Sequence, residues 1–123
     1  MYKIMLVEDE DDLRQGIKAF LEIAGYETIE AANGKEAMQK ISETVPDIII
    51  SDIMMPVMNG LELLKKVRQQ SLLKSTPFII LTAKTDLEDV KTGMEAGACH
   101  YITKPFKIKE LINVISNNLP IVN

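Results

Sequence analysis

Ile48-Ile49-Ile50-Ser51-Asp52, followed by Ile53-Met54-Met55-Pro56-Val57-Met58-Asn59-Gly60, is the stretch from which the rest of the chain can be read. The apolar run reads as a buried strand, and Pro56 and Gly60 force a turn right after it. Asp52 therefore falls at the mouth of a sheet. A carboxylate at the edge of a core must be hydrated, paired or metal-bound, because its charge is costly to bury alone. Which residues converge on Asp52 decides its chemistry.

Working outward toward the N-terminus, Lys3–Val7 is a second apolar strand, followed at once by Glu8-Asp9-Glu10-Asp11-Asp12. Leu13, Ile17, Phe20, Leu21 and Ala24 share one helical face, Asp11 or Asp12 reads as the N-cap, and Gly25 stops the helix. Glu27–Ala31 is a weaker, more polar strand suited to a sheet edge, and Asn33-Gly34 turns into a helix carrying Ala37, Met38 and Ile41. Toward the C-terminus, Leu61, Leu64 and Val67 mark a helix, and Pro77 precedes a strand over Phe78–Leu81 that ends at Thr82-Ala83. A helix around Leu87–Ala96 ends near Gly97, and a short strand at Tyr101–Ile102 meets Lys104-Pro105. Ile108, Leu111, Ile112, Ile115 and Leu119 stripe the last helix. Five strand–helix units in alternation, with near-continuous apolar strands, predict a parallel sheet covered by helices on both faces.

Bulk properties narrow the task. A chain of 123 residues is one domain, 1–123, with a sizeable core. Its 46% hydrophobic and 26% charged residues are those of a soluble globular protein. A net charge of −4 argues against nucleic-acid or anionic-membrane binding as the main task, since both need a basic face. The single cysteine, Cys99, excludes an internal disulfide and fits a reducing compartment. Met1-Tyr2-Lys3 leads straight into a strand, without a signal peptide or a spanning run, so the cytoplasm is the expected location.

In an open parallel sheet, ligands bind beyond the carboxyl ends of the strands, where the strand order reverses. The polar residues at those ends are Glu8 and Asp9, Asp52, Thr82 and Lys104. Three carboxylates on one rim repel each other by several kcal/mol at intermediate dielectric, roughly 4 kcal/mol per close pair. A divalent cation with oxygen ligands and one ammonium would neutralise them, and magnesium prefers such a site. A carboxylate there can attack a phosphoryl group and form an aspartyl phosphate. The transfer needs mainly positioning and charge neutralisation, which a metal, Lys104 and the Thr82 hydroxyl would supply.

VED near the start, SDIMMPVMNG in the middle, LTA and then YITKPF together resemble the receiver domain of response regulators in bacterial two-component signalling, over essentially the whole chain. The resemblance implies a doubly wound (βα)5 flavodoxin-like fold with strand order 2-1-3-4-5. It implies that Asp52 is the phospho-acceptor, that Asp9 is the direct metal carboxylate, and that Glu8 is a second acid acting largely through water. The Met54 backbone carbonyl would be a further Mg²⁺ ligand, and its side chain would lie beside the site and tune phosphoryl lifetime. Thr82 and Lys104 would contact the phosphoryl group, Tyr101 would report activation through its rotamer, and a cis Lys104-Pro105 bond would aim the lysine inward. The implied function is a phosphorylation-controlled switch. It is loaded by a sensor histidine kinase or histidine phosphotransfer protein, and it slowly dephosphorylates itself. An output domain or target would be reached through the fourth helix, fifth strand and last helix, where His100, Lys107, Lys109, Asn113 and Asn117 lie. Neither nucleic acid nor membrane would be bound directly.

Two other readings compete with this one. A flavodoxin-like redox or nucleotide-binding module would want Ser, Thr and Gly after the first strand, where this chain has five acids that repel phosphate. A scaffold that only binds proteins would not need the intact acid set. His100 reads as a surface residue, Cys99 as a buried or half-buried thiol, and Met55 and Met58 as loop and core filler. Many DNA-binding relatives carry acids in place of Cys99-His100 and an arginine in place of Val114, so their salt-bridged dimer does not carry over to this chain.

Overall fold

The computed structural model describes residues 1–83 and 85–120. Strands β1 (Lys3–Val7), β2 (Glu27–Ala31), β3 (Ile48–Asp52), β4 (Phe78–Ala83) and β5 (His100–Lys104) alternate with helices α1 (Asp11–Ile23), α2 (Gly34–Ile41), α3 (Gly60–Gln69), α4 (Leu87–Glu95) and α5 (Ile108–Asn118). The strands form one parallel sheet in the order β2-β1-β3-β4-β5. β1 thus has β2 on one side and β3 on the other, and the strand order reverses between the carboxyl ends of β1 and β3. The fold class is the one expected. No helix among the described residues is long and apolar enough to cross a membrane.

Side chains alternate across a strand, so each central strand feeds two cores. Ile4, Leu6, Ile48, Ile50, Ile79 and Leu81 pack on one face with Ile17 and Leu21 of α1 and Leu111 and Ile115 of α5. Met5, Val7, Ile49, Phe78 and Ile80 pack on the other with Ala37 and Ile41 of α2 and Leu63, Leu64 and Val67 of α3. This is why β1, β3 and β4 read as continuous apolar runs. β2, at the edge, buries only Ala31 and keeps its polar residues.

Several local expectations are corrected. Phe20 is half exposed and Ala24 is exposed, because the buried stripe of α1 narrows to Ile17 and Leu21. The N-cap of α1 is Glu10, without a side-chain bond. Asp11 and Asp12 lie in the first turn, and Asp11 pairs with Arg14 instead. Leu63 of α3 and Val114 of α5 are buried, although the periodic pattern named neither. Cys99 is exposed, with its Sγ donating to the Phe78 carbonyl at 3.5 Å. β5 is longer than Tyr101–Ile102 and ends on Lys104 itself.

The turn after Asp52 is held tightly. Asn59 caps α3 by accepting from the Glu62 N–H at 2.9 Å, while the Glu62 carboxylate accepts from the Asn59 N–H at 3.2 Å. The Gly60 N–H donates to the Ile53 carbonyl at 3.0 Å. A Cβ at Gly60 would lie 2.9 Å from Ile53 Cα and closer still to the Asp52 carbonyl oxygen, both backbone atoms that cannot step aside. The start of α3 thus presses on the strand end that carries Asp52. Gly60→Ala is expected to destabilise the fold by about 1–3 kcal/mol or more. By contrast, a Cβ at Gly16, inside α1, meets nothing within 4 Å. Gly16→Ala should therefore stabilise by about 0.5–1 kcal/mol through helix propensity. Urea unfolding of the two variants checks the pair; equal effects would contradict the packing described.

Candidate functional site

The reversal point brings four of the expected side chains together. Carboxylate oxygens of Glu8, Asp9 and Asp52 lie within 4.8 Å of one another. Lys104 Nζ donates to Glu8 Oε1 at 2.7 Å and to Asp52 Oδ2 at 2.6 Å. Glu8 and Asp52 are buried and Asp9 is exposed, so the cluster is closed from below and open above. The Lys104-Pro105 bond is cis.

Each acid is oriented by its own surroundings. Glu8 Oε2 accepts from the Glu10 N–H at 3.1 Å, and the Glu8 N–H donates to the Ala31 carbonyl at 3.0 Å. Asp52 Oδ1 accepts from the Met54 N–H at 3.3 Å, leaving Oδ2 to Lys104. Val57, at the turn of this loop, holds φ at 69°, a conformation that a β-branched residue adopts only under constraint. Met54 projects outward and is more than half exposed, whereas Met55 and Met58 pack partly against the core.

The charges are unbalanced. Burial raises the Glu8 carboxyl to about 7; hydrogen bonds from Lys104 and the Glu10 N–H oppose the rise, and the Asp52 charge adds to it. Burial disfavours the Lys104 ammonium, but hydrogen bonds and charge from Asp52 and Glu8 outweigh that and hold its pKa above the ordinary value. One ammonium serves two of three acids. The remaining donors are all oxygens on short side chains, which suits a hard divalent cation and no soft one.

Thr82 is fully buried, one residue beyond Leu81, the partner of Asp52 across β3 and β4. Its Oγ1 donates to the Ala83 carbonyl at 3.1 Å and does not bond to Asp52. Tyr101 lies on the outer strand, 39% exposed, with its ring edge-on to His100 at 6.3 Å. Thr82 therefore lies at the strand ends without joining the charged cluster, and Tyr101 lies further back, opposite Ile80 and three residues before Lys104.

A residue that sequence reasoning missed joins the cluster from behind. Arg14 of α1 donates through Nη1 to the Glu8 backbone carbonyl at 2.7 Å. It also pairs with Asp11 at 2.6 Å and with Glu30 of β2 at 3.2 Å. The Asp11–Arg14 spacing on one helix face was the available signal, although by itself it reads as a surface ion pair.

Comparison with known proteins agrees with this geometry. The family model described as the response regulator receiver domain matches residues 4–116. The chain is 41% identical over 109 residues to the phosphate regulon transcriptional regulatory protein PhoB of Pseudomonas aeruginosa, covering 89% of this chain and 48% of that protein. It is 40% identical over 109 residues to the alkaline phosphatase synthesis transcriptional regulatory protein PhoP of Bacillus subtilis, covering 89% of this chain and 45% of that protein. The chain thus spans about half the length of the curated relatives it matches. Among solved structures, the chemotaxis protein CheY4 of Vibrio cholerae superposes with a TM-score of 0.91 at 40% identity, covering 97% of this chain and 99% of that one. A response regulator from Chloroflexus aurantiacus gives 0.90 at 38% identity, covering 95% and 96%. With its five-stranded order, its acid cluster and a family match over nearly its whole length, the chain belongs to the response regulator receiver domain family.

Proposed function

We propose that residues 1–123 act as one receiver domain in which Asp52 accepts a phosphoryl group, switching the domain between two states. The observation that carries this reading is the lysine bridge: Lys104 Nζ lies within hydrogen-bond reach of both Asp52 and Glu8, beside a third carboxylate. Such a cluster holds an anionic nucleophile ready and leaves room for a cation.

An Asp52 carboxylate oxygen attacks the donor phosphorus in line. The P–N bond of a phosphohistidine breaks, and the electron pair stays on the imidazole, which takes up a proton. Lys104 exchanges part of its bond to Asp52 for a phosphoryl oxygen while Glu8 keeps the ammonium in place. Asp9, Asp52 and the Met54 backbone carbonyl would hold Mg²⁺, with Glu8 acting mainly through water. The ion supplies charge neutralisation for the phosphoryl oxygens. Slow attack of water on the acyl phosphate restores Asp52 and releases inorganic phosphate.

The donor is a sensor histidine kinase or a histidine phosphotransfer protein, and the setting is the cytoplasm. The output passes through α4, β5 and α5 to a further domain or a target. Its surface carries the exposed His100, Tyr101, Lys107, Lys109, Asn113 and Asn117. Cys99 and His100 offer no carboxylates there and Val114 is buried, so a dimer built on acid–arginine pairs is not part of this reading.

Labelling with a small phosphodonor in the presence of magnesium tests the proposal. Asp52→Asn should abolish labelling, and labelling at wild-type extent would sink the assignment. Asp9→Ala should need about tenfold more magnesium for half-maximal labelling, or about 1.4 kcal/mol; an unchanged requirement would place the ion elsewhere.

Switching rests on Thr82 and Tyr101. In the unphosphorylated domain the Thr82 hydroxyl is turned to its own strand and Tyr101 faces outward. A phosphoryl group on Asp52 would draw Thr82 toward it, and the space left admits Tyr101. Thr82→Ala should therefore still accept phosphate yet show reduced NMR shifts at Tyr101 and along α5. Wild-type shifts in that variant would break the proposed coupling.

A further inference from the structure

We infer that Arg14 is a positioning residue for the acid pair Glu8–Asp9, setting how well that pair receives a divalent cation. The inference rests on the reading of the site given above. It goes beyond it by assigning a role to a side chain that touches neither the cation nor the phosphoryl group.

The argument starts from what holds the loop after β1. The Glu8 N–H is tied to Ala31 of β2 at 3.0 Å, and the Glu10 carbonyl accepts from the Arg14 N–H at 2.9 Å inside α1. The Glu8 carbonyl lies between these two points, one peptide from Asp9. Its partner is the Arg14 guanidinium, through Nη1 at 2.7 Å. The direction in which Asp9 leaves the backbone depends on that peptide.

The guanidinium is itself held on its other edges. Nη2 donates to Asp11 Oδ1 at 2.6 Å and Nε to Glu30 Oε1 at 3.2 Å. Glu30 also takes Gln15 at 2.6 Å and Lys18 at 3.0 Å. Arg14 is only 12% exposed, so its position is fixed by packing as well as by charge. Three partners in three directions match the planar fork of an arginine, whose donors diverge in one plane. A lysine offers donors from one nitrogen and cannot span them. With two carboxylates beside it, the guanidinium brings little net charge to the acid cluster. Its effect on the site is therefore geometric, exerted through the Glu8 carbonyl.

Outer groups that orient metal ligands generally matter to affinity. In Arg14→Lys, which keeps the charge and most of the stem, the magnesium Kd measured by calorimetry should rise about tenfold, the lower end of what outer-group changes cost. Arg14→Gln should rise at least as much. Lys18→Gln removes another partner of Glu30 without touching the Glu8 carbonyl, and its Kd should stay within about twofold of the wild type. In the metal-free protein, amide shifts of Asp9 and Glu10 should move in the Arg14 variants and stay in place in Lys18→Gln. Thermal unfolding of all three variants gives the stability cost separately. Wild-type magnesium affinity in both folded Arg14 variants overturns the inference alone. A Lys18→Gln loss equal to that of Arg14→Lys overturns it too, by reducing Arg14 to general support of α1. Absence of magnesium binding by the wild type overturns the reading of the site and this inference with it.

Discussion

Lys104 Nζ sits 2.7 Å from Glu8 and 2.6 Å from Asp52, and the rest of the site is arranged around that bridge. Two buried carboxylates on neighbouring strands would otherwise push apart the sheet ends that carry them. One ammonium can hold them, but a third acid, Asp9, stands in the same cluster. The rim is left with more negative than positive charge, and the excess faces outward. A fold that only needed stability would replace such a cluster with apolar residues, since buried ion pairs often stabilise no better than a packed core. On the proposed reading, that imbalance is what a cation and a phosphoryl group would offset, with Lys104 sharing the phosphoryl oxygens.

The sheet topology is what makes this convergence possible. Because β2 lies outside β1, and β3 lies on its other side, the chain ends of β1 and β3 adjoin where no crossover helix covers them. β4 and β5 then follow outward, so Thr82 and Lys104 approach from one side only. The Gly60 contact under Asp52 and the Arg14 contact under Glu8 are the two backstops of the rim. At the first, α3 leaves no room for a Cβ beside the Asp52 carbonyl; at the second, the guanidinium donates to the Glu8 carbonyl.

Much of this was legible in the sequence for a plain reason. Strands buried on both faces must be apolar throughout, so Ile48–Ile50 and Phe78–Leu81 declare themselves, and the polar residues directly after them must lie at the rim. Glu8, Asp9, Asp52 and Lys104 are legible in that way, from the strand pattern alone. Thr82 follows from its strand end in the same way, whereas the role of Tyr101 rests on the resemblance alone, because a tyrosine on an outer strand carries no local signal. Helix faces were read less well. Phe20 fell beside the stripe of α1, while Leu63 and Val114 fell inside stripes that the periodic pattern drew too narrowly. Spacing marks Arg14 only as an ion-pair partner of Asp11, since its bond to Glu8 is to the backbone carbonyl, and carbonyls leave no mark in a sequence. The left-handed Val57 was hidden for a related reason: the loop forces a conformation that its residue type disfavours.

The central claim is that the rim is short of positive charge until a cation arrives. A carboxyl ¹³C titration of Glu8, with and without magnesium, tests it most directly. Burial places the Glu8 carboxyl at about 7 in the free domain, above its ordinary 4.5, so the folded state holds a proton there that the unfolded chain has lost. Between those two values stability therefore falls as pH rises, and on the proposed reading the positive charge of a nearby cation would favour loss of that proton. The account predicts a midpoint near 7 without magnesium that moves down when magnesium is added, with magnesium affinity weakening as pH falls below it. A Glu8 midpoint at the ordinary value, unmoved by magnesium, would contradict it.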